Sequence, residues 1–297
     1  MAVGRGSDVS PERRRPAPVN PNMLKYLRQV RAAAAMLNPG EVRNRAEQPI
    51  IVGLVAEDSL GFARMEDTLG FGRGGPLPAF RAGDPNAPRR VDLVFYDAHL
   101  PAPEGAYILC HHDPEDTVEA VLRDHEELML PLARQFPGLR KPIVDRIVRS
   151  VARENGLFAI TTALPDVIPS LIELPWAVGE WATDTAFLTV NQVRMAFLIA
   201  AACGKEVGYG HQKLEIGSIV AGAFGWRAIA RELAGKIPFG GGLLPKGLIA
   251  YAGTYMVGKG LETLHQGRNW TAVDREAAYQ HGLERGKAAI SQEAASS

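Results

Sequence analysis

The sequence predicts a two-part α/β protein, in which a small, mostly parallel, doubly wound β-sheet is followed by an α-helical bundle domain. Between residues 49 and 170, short apolar runs alternate with helical stretches, a pattern typical of a parallel sheet covered on both faces. Between residues 171 and 290, the chain is richer in apolar, glycine-containing segments with helical spacing. With 297 residues and a hydrophobic content of 46%, the chain is long enough for two domains.

Both ends of the chain differ from this pattern. Residues 1–21 mix Gly, Pro, Ser and Arg without periodicity and predict a disordered tail, as does the polar stretch 291–297. Residues 22–48 predict an amphipathic helix, ending near residue 37, and a linker. The basic stripe of this helix consists of Lys25, Arg28 and Arg31. Such a stripe suits the surface of an anionic membrane, but it equally suits a helix that packs on its own domain and exposes its charges to water.

Four apolar runs predict the strands of the sheet. They are PIIVGLVA, RVDLVFYDA, AYILC and LFAITTAL, in chain order. A helix is predicted from about residue 58 to 69, and a helical region broken near its prolines from about 116 to 155. The glycine-rich stretch 70–83 predicts a mobile loop, since it lacks the strand before it and the helix after it that a dinucleotide-binding turn requires.

Composition restricts the function and the compartment. Lys and Arg together number 33, as do Asp and Glu, and this balance argues against a nucleic-acid-binding protein. The two cysteines, Cys110 and Cys203, lie far apart, and no apolar signal segment precedes the first helix. We therefore expect a cytoplasmic protein, either free or bound peripherally at the inner face of the cytoplasmic membrane.

The last long helix of the bundle carries a stripe of small residues after Pro245. The stripe consists of Gly247, Ala250, Thr254 and Gly258. Small residues at helical spacing allow another helix to approach closely, within the same bundle, in a second copy of the chain or in a membrane. The charged residues Arg194, Lys246 and Lys259 leave apolar segments shorter than the roughly 20 residues of a membrane span, which favours a compact bundle over a hairpin in lipid.

Arg194 stands among apolar residues, where an unpaired charge is costly. It predicts a salt bridge to an acidic residue such as Glu206 or Glu232. The alternative is a contact with a lipid phosphate or with the first domain.

The strings TVNQVRM and IPFGGGLLPKGLIAYAGTYMVGKGLE resemble the domain-of-unknown-function 697 family, a bacterial helical module that often follows Era-like or Der-like GTPase domains and is often membrane-associated. The resemblance covers residues 187–264, about a quarter of the chain. It implies a GTPase-like domain before the helical one. The family has no established chemistry, so the resemblance implies no mechanism.

The GTPase expectation can be tested against the phosphate loop, G-x-x-x-x-G-K-[ST], whose amides and lysine hold the phosphates. Aligning Gly53 with the first glycine puts Asp58 at the second glycine and Ser59 at the lysine. An acid there would repel a triphosphate. No lysine lies between Lys25 and Lys141. The sequence therefore predicts a degenerate, pseudo-GTPase-like domain without a bound cofactor.

Other nucleotide motifs survive in fragments. Asp97 could correspond to the aspartate of D-x-x-G, but Leu100 replaces the glycine, and Asp113 alone matches N-K-x-D. Asp97 and Asp113, together with Gly53, Asp58 and Ser59 of the phosphate-loop alignment, are therefore predicted to be vestigial positions of a nucleotide-binding site. An active hydrolase with an unusual loop that uses Arg64 and Asp97 remains the alternative.

The string CHHD could supply metal ligands from Cys110 to Asp113, yet contiguous residues rarely build a metal site. The string is equally well explained as a surface loop that caps the helix starting near Asp116, or as a vestigial nucleotide loop.

The sequence contains no G-x-S-x-G, H-E-x-x-H or C-x-x-C motif, the usual signs of acyl transfer, zinc hydrolysis and thiol redox chemistry. We expect a non-catalytic protein that contacts a membrane surface or a protein partner and is able to form a homo-oligomer; a soluble scaffold is the third hypothesis.

Overall fold

A computed structural model describes residues 34–35, 37–70, 79–86, 88–162, 184–222 and 243–296. They form a mixed α/β structure with a four-stranded parallel sheet and a set of packed helices. The strands are β1 (Val52–Val55), β2 (Ala79–Arg81), β3 (Leu93–Asp97) and β4 (Tyr107–Leu109). The first three predicted strands are confirmed as β1, β3 and β4.

The sheet has the strand order β2-β1-β3-β4, and every pairing is parallel. The chain adds β2 on one side of β1 and then returns to add β3 on the other side. The connections therefore diverge between β1 and β3, a switch point where open α/β sheets leave a crevice at the carboxyl ends of their strands. β2 lies within the stretch 70–83 that was predicted as a loop, because a three-residue strand carries too little pattern to be recognised.

Helix α1 (Pro39–Ala46) precedes β1, and α2 (Ser59–Leu69) follows it. The predicted helix over residues 58–69 is confirmed. The Asp58 carboxylate accepts a hydrogen bond from the Gly61 amide at its start. Gly70 ends the helix with a φ of 99°, a conformation that favours glycine.

The predicted helical region 116–155 forms α3 (Glu115–Asp124), α4 (Met129–Gln135) and α5 (Arg140–Thr161). Short 3₁₀ turns at Glu126–Leu128 and Pro137–Leu139 separate them, near the predicted proline breaks.

The fourth predicted strand is wrong. Its first five residues, Leu157–Thr161, are the last turns of α5, and its end lies outside the described residues. Phe158 and Ala159 continue the buried face that Val151 and Asn155 begin, at helical spacing. A short apolar run does not distinguish a buried strand from a buried helix.

The remaining helices are α6 (Asp184–Ala202), α7 (Leu243–His265) and α8 (Ala272–Ser296), with a further helical stretch at 213–222. α5 packs along α7 and beside α6, and α8 packs on α7. The packing thus crosses the predicted boundary at residue 170, because α5 belongs to the helical layer. α8 also continues through residues assigned to the tail 291–297.

The small-residue stripe of α7 faces α5. A Cβ at Gly247 would lie 2.5 Å from a side-chain carbon of Ile160, and one at Gly258 would lie 2.6 Å from both methyl groups of Val148. The two helices approach this closely because these positions lack side chains. Within the described part of the chain, no helix is both long enough and apolar enough to cross a bilayer.

Candidate ligand site at the carboxyl edge of the sheet

The carboxyl ends of β1, β3 and β4 bring together acidic and basic side chains from different parts of the chain. β1 leads through Asp58 into α2, β3 ends at Asp97, and His111 follows β4 by two residues. This edge lies at the switch point between β1 and β3, so the fold places these groups where an α/β sheet normally holds its ligand.

Asp97 is the centre of this cluster and is 3% exposed. Its Oδ1 lies 3.2 Å from Nε2 of His111, and its Oδ2 lies 3.6 Å from a guanidinium nitrogen of Arg64 on α2. A Cβ at Gly61 would lie 2.5 Å from Oδ2, so the absence of a side chain there allows α2 to approach the carboxylate. The carboxylate is therefore enclosed by the chain's own groups.

The charge of Asp97 is stabilised in this position. Burial by itself would raise the pKa of the carboxyl group, because it disfavours the charged form. The hydrogen bond and charge of His111, a backbone hydrogen bond from His99 and the charge of Arg64 outweigh burial and lower the pKa. Asp97 is thus an ionised carboxylate whose partners are already in place.

His111 also contacts Thr68 of α2, with 2.9 Å between Nδ1 and Oγ1. The order Thr68, His111, Asp97 is that of a hydroxyl, an imidazole and a carboxylate in nucleophilic catalysis. The Thr68 hydroxyl, however, lies 2.8 Å from the Arg64 carbonyl one helical turn earlier, to which it donates its single proton. The hydroxyl proton is thus held by the helix backbone, and the two ring contacts fix the orientation of the His111 imidazole beside the Asp97 carboxylate.

The residues aligned with a phosphate loop do not form a loop of that length in the structure. Gly53 is inside β1, Ser59 is the first residue of α2, and three residues, 56–58, connect the two elements. A loop starting at Gly53 would need Leu54 and Val55, which are paired in the sheet.

Asp113 contacts the start of α3. It is exposed, and its Oδ1 accepts a hydrogen bond from the Glu115 amide at the start of α3. The CHHD string is therefore divided: His111 belongs to the Asp97 cluster, and Asp113 bonds to the backbone at the start of α3, whose N-cap residue Pro114 makes no side-chain cap hydrogen bond. Among the described residues, no group of three or more His, Cys, Asp or Glu side chains could hold a metal ion.

Comparison with protein-family models, with curated proteins and with solved structures finds no match to this chain.

The residues predicted for interaction lie elsewhere. Arg194 forms a salt bridge of 2.5 Å with Glu154 of α5 and donates to the Oδ1 of Asn191. The expectation of a salt bridge is correct, but the expected partner Glu206 is wrong, and Glu232 lies outside the described residues. The partner that the described residues show, Glu154, is on α5, which was placed in the other domain.

The stripe of Gly247, Ala250, Thr254 and Gly258 packs inside the molecule, and Gly247, Thr254 and Gly258 contact α5. Thr254 is 1% exposed and accepts a hydrogen bond from Asn155. Ala250 is also buried. The basic stripe of Lys25, Arg28 and Arg31 lies outside the described residues.

Sequence reasoning identified Asp97 and Asp58 but missed His111 and Thr68 as their neighbours. His111 and Thr68 are 43 positions apart, and no motif links them. His111 follows a strand and Thr68 lies near the end of α2, so no local pattern places them together.

Proposed function

We propose that this chain is a non-catalytic interaction protein, in which a degenerate GTPase-like α/β domain is joined to a helical domain and a basic N-terminal segment that contact a membrane surface. One observation supports the proposal that the protein does not turn over nucleotide. The Asp58 carboxylate, at the start of α2, lies 2.7 Å from the Gly61 amide. A helix N-terminus after the first strand is where a phosphate binds in nucleotide-binding α/β folds, and here a carboxylate of the chain takes that position.

Electrostatics supports the same conclusion. A triphosphate at this edge would meet the negative charges of Asp58 and Asp97, and the nearby cation Arg64 is already paired with Asp97. The resemblance of residues 187–264 to the 697 family, whose members often follow GTPase domains, supports a GTPase-like origin. The parallel strands and the switch point agree with a doubly wound sheet, although they are common to many nucleotide-binding and unrelated folds.

We expect that GTP or ATP with Mg²⁺ leaves the melting temperature of the full-length protein unchanged. A nucleotide present at about 100 times its Kd would stabilise the folded state by about 2.7 kcal/mol, so a thermal-shift measurement near millimolar nucleotide detects even weak binding. The comparison variant is Asp97→Ala, which removes the carboxylate that the alternative hydrolase would use; a nucleotide-dependent shift that the unaltered protein shows and this variant lacks would contradict the expectation.

Stoichiometric nucleotide binding by calorimetry, together with phosphate release that Asp97→Ala abolishes, would establish the hydrolase and overturn the non-catalytic proposal.

The membrane part of the proposal rests on the basic stripe and its connection to the helical layer. The Tyr209 hydroxyl donates to the Ala34 carbonyl and lies 3.3 Å from that of Leu37, and both residues belong to the first described part of the chain after the stripe. A surface bound by the stripe would therefore be held close to the helices that follow.

Reversing the stripe with Lys25→Glu, Arg28→Glu and Arg31→Glu in the full chain is expected to abolish flotation with anionic vesicles, because each basic residue near such a surface contributes about 1 kcal/mol. The matched control reverses the same number of charges at three exposed positions on the helical layer. These are Lys213, Arg275 and Lys287.

Flotation that survives both triple variants would assign attachment to another part of the chain. If the unaltered protein fails to float, the membrane part is wrong and the soluble scaffold becomes the better description.

A further inference from the structure

We propose that the cleft between α5, α7 and α8 is a binding site for a phosphate-bearing ligand, with Arg285, Lys141 and Tyr255 as its donors. The cleft has a volume of about 400 Å³ and is lined by four permanent cations and two carboxylates. Its location is separate from the carboxyl edge of the sheet. The inference does not rest on the proposed function, since none of its residues takes part in that argument.

Most charges in the cleft are already paired. Asp145 lies 2.9 Å from the ammonium groups of both Lys141 and Lys259, so that one carboxylate is shared by two cations. Lys259 has a second partner in Glu262. Burial by itself would lower the pKa of Lys259, but the hydrogen bonds with Glu262 and Asp145 outweigh it and raise the pKa. Lys259, Asp145 and Glu262 thus form a neutralised, fixed wall on this side of the cleft, whereas the Lys141 side chain stays exposed beside it.

Arg149 completes the wall. Its guanidinium lies 2.6 Å from a carboxylate oxygen of Glu115 and 2.8 Å from one of Glu119. Two hydrogen-bonded carboxylates hold it in one orientation, because a guanidinium fork matches carboxylate geometry.

Arg285 is the exception. Its Nε donates to Nε2 of His281 at 2.7 Å, and no carboxylate among the described residues lies within ion-pair distance of it. Its two terminal nitrogens are thus available for a ligand. The acceptor role of His281 orients the guanidinium without neutralising it, and this leaves a net positive charge at the α8 side of the cleft.

Two further donors line the same cleft. The Tyr255 hydroxyl forms no hydrogen bond with any residue that the structure describes, and the Lys141 side chain is 74% exposed with one carboxylate partner that it shares. An arginine fork, an ammonium and a hydroxyl are the donor set by which proteins hold phosphate groups. Arg285, whose charge no described carboxylate pairs, supplies the positive charge that a phosphate group requires.

The test is calorimetric titration of the full-length protein with pyrophosphate. We expect binding that Arg285→Met weakens by roughly tenfold or more, since a charge-assisted hydrogen bond of this kind is lost while the aliphatic length is kept. The matched control is Arg275→Met, an exposed arginine on the same helix that does not line the cleft; it is expected to bind as the unaltered protein does.

A vesicle arm distinguishes the two sources of phosphate. Phosphatidylcholine vesicles containing about one third phosphatidic acid are compared with pure phosphatidylcholine, with and without pyrophosphate as competitor. Flotation that pyrophosphate displaces and Arg285→Met abolishes identifies a lipid headgroup; pyrophosphate binding without such flotation identifies a soluble phosphate compound. The proposal is overturned if pyrophosphate does not bind, or if the two arginine variants weaken binding equally.

Discussion

Asn155→Ala is expected to lower the free energy of unfolding by about 3 kcal/mol, because it disrupts a buried polar network that joins three helices. Asn155 of α5 is fully buried. Its Nδ2 donates to Oγ1 of Thr254 on α7 at 2.8 Å, and its Oδ1 accepts from Nδ2 of Asn191 on α6 at 2.9 Å. Truncation leaves these groups with fewer partners in an interior where an unmet hydrogen bond is costly, and it also removes buried volume.

Urea unfolding followed by circular dichroism measures this change, with Asn86→Ala as the control. Asn86 is exposed, so its truncation is expected to change stability by less than about 0.5 kcal/mol. A loss below about 1 kcal/mol for Asn155→Ala would show that the network contributes little beyond packing.

Gly258→Ala is expected to destabilise the protein by about 2 kcal/mol, although alanine is the better helix former. The added Cβ would lie 2.6 Å from both methyl groups of Val148 and 3.1 Å from the sulfur of Met195. Val148 is β-branched and fully buried, so it has little freedom to move away. Overpacking therefore outweighs the gain of roughly 1 kcal/mol in helix propensity.

Gly217→Ala is the matched control for this prediction, since it introduces the same methyl group into a helical stretch. A Cβ there meets nothing within 4 Å, and the residue is exposed. We expect it to stabilise the protein by roughly 0.5–1 kcal/mol. The same sign for both variants in urea unfolding would contradict the close approach of α5 and α7.

The strands with strong patterns could be predicted from the sequence, and the weak ones could not. β1 and β3 are apolar runs bounded by polar residues, whereas β2 exists because the paired backbone of β1 offers a partner, which no local pattern records. The run at Leu157–Thr161 favours a strand by composition, yet its position at the end of a 22-residue helix makes it helical. Tertiary packing decided between two conformations that the local sequence permits.

The candidate site shows the same division. Asp58 was identified by aligning Gly53 with the first glycine of a phosphate loop, and Asp97 by its likeness to the aspartate of D-x-x-G. The contacts of His111 with Thr68, and of Arg194 with Glu154, depend on how distant elements pack, so spacing along the chain carries no information about them. The expected acid near Arg194 was chosen from its own predicted domain, whereas Glu154 lies on α5, before the predicted boundary at residue 170.

The position of α5 means that the helices after residue 171 do not cover their own packing surface without it. The small-residue stripe on α7 is covered by Val148 and Ile160, which come from the other side of the predicted boundary. α5 thus occupies, within one molecule, the place that a second subunit would take on an open stripe of this kind. A fragment beginning at residue 171 would lack this intramolecular partner and expose the grooves at Gly247 and Gly258. Self-association of the intact chain through these grooves would first require α5 to be displaced.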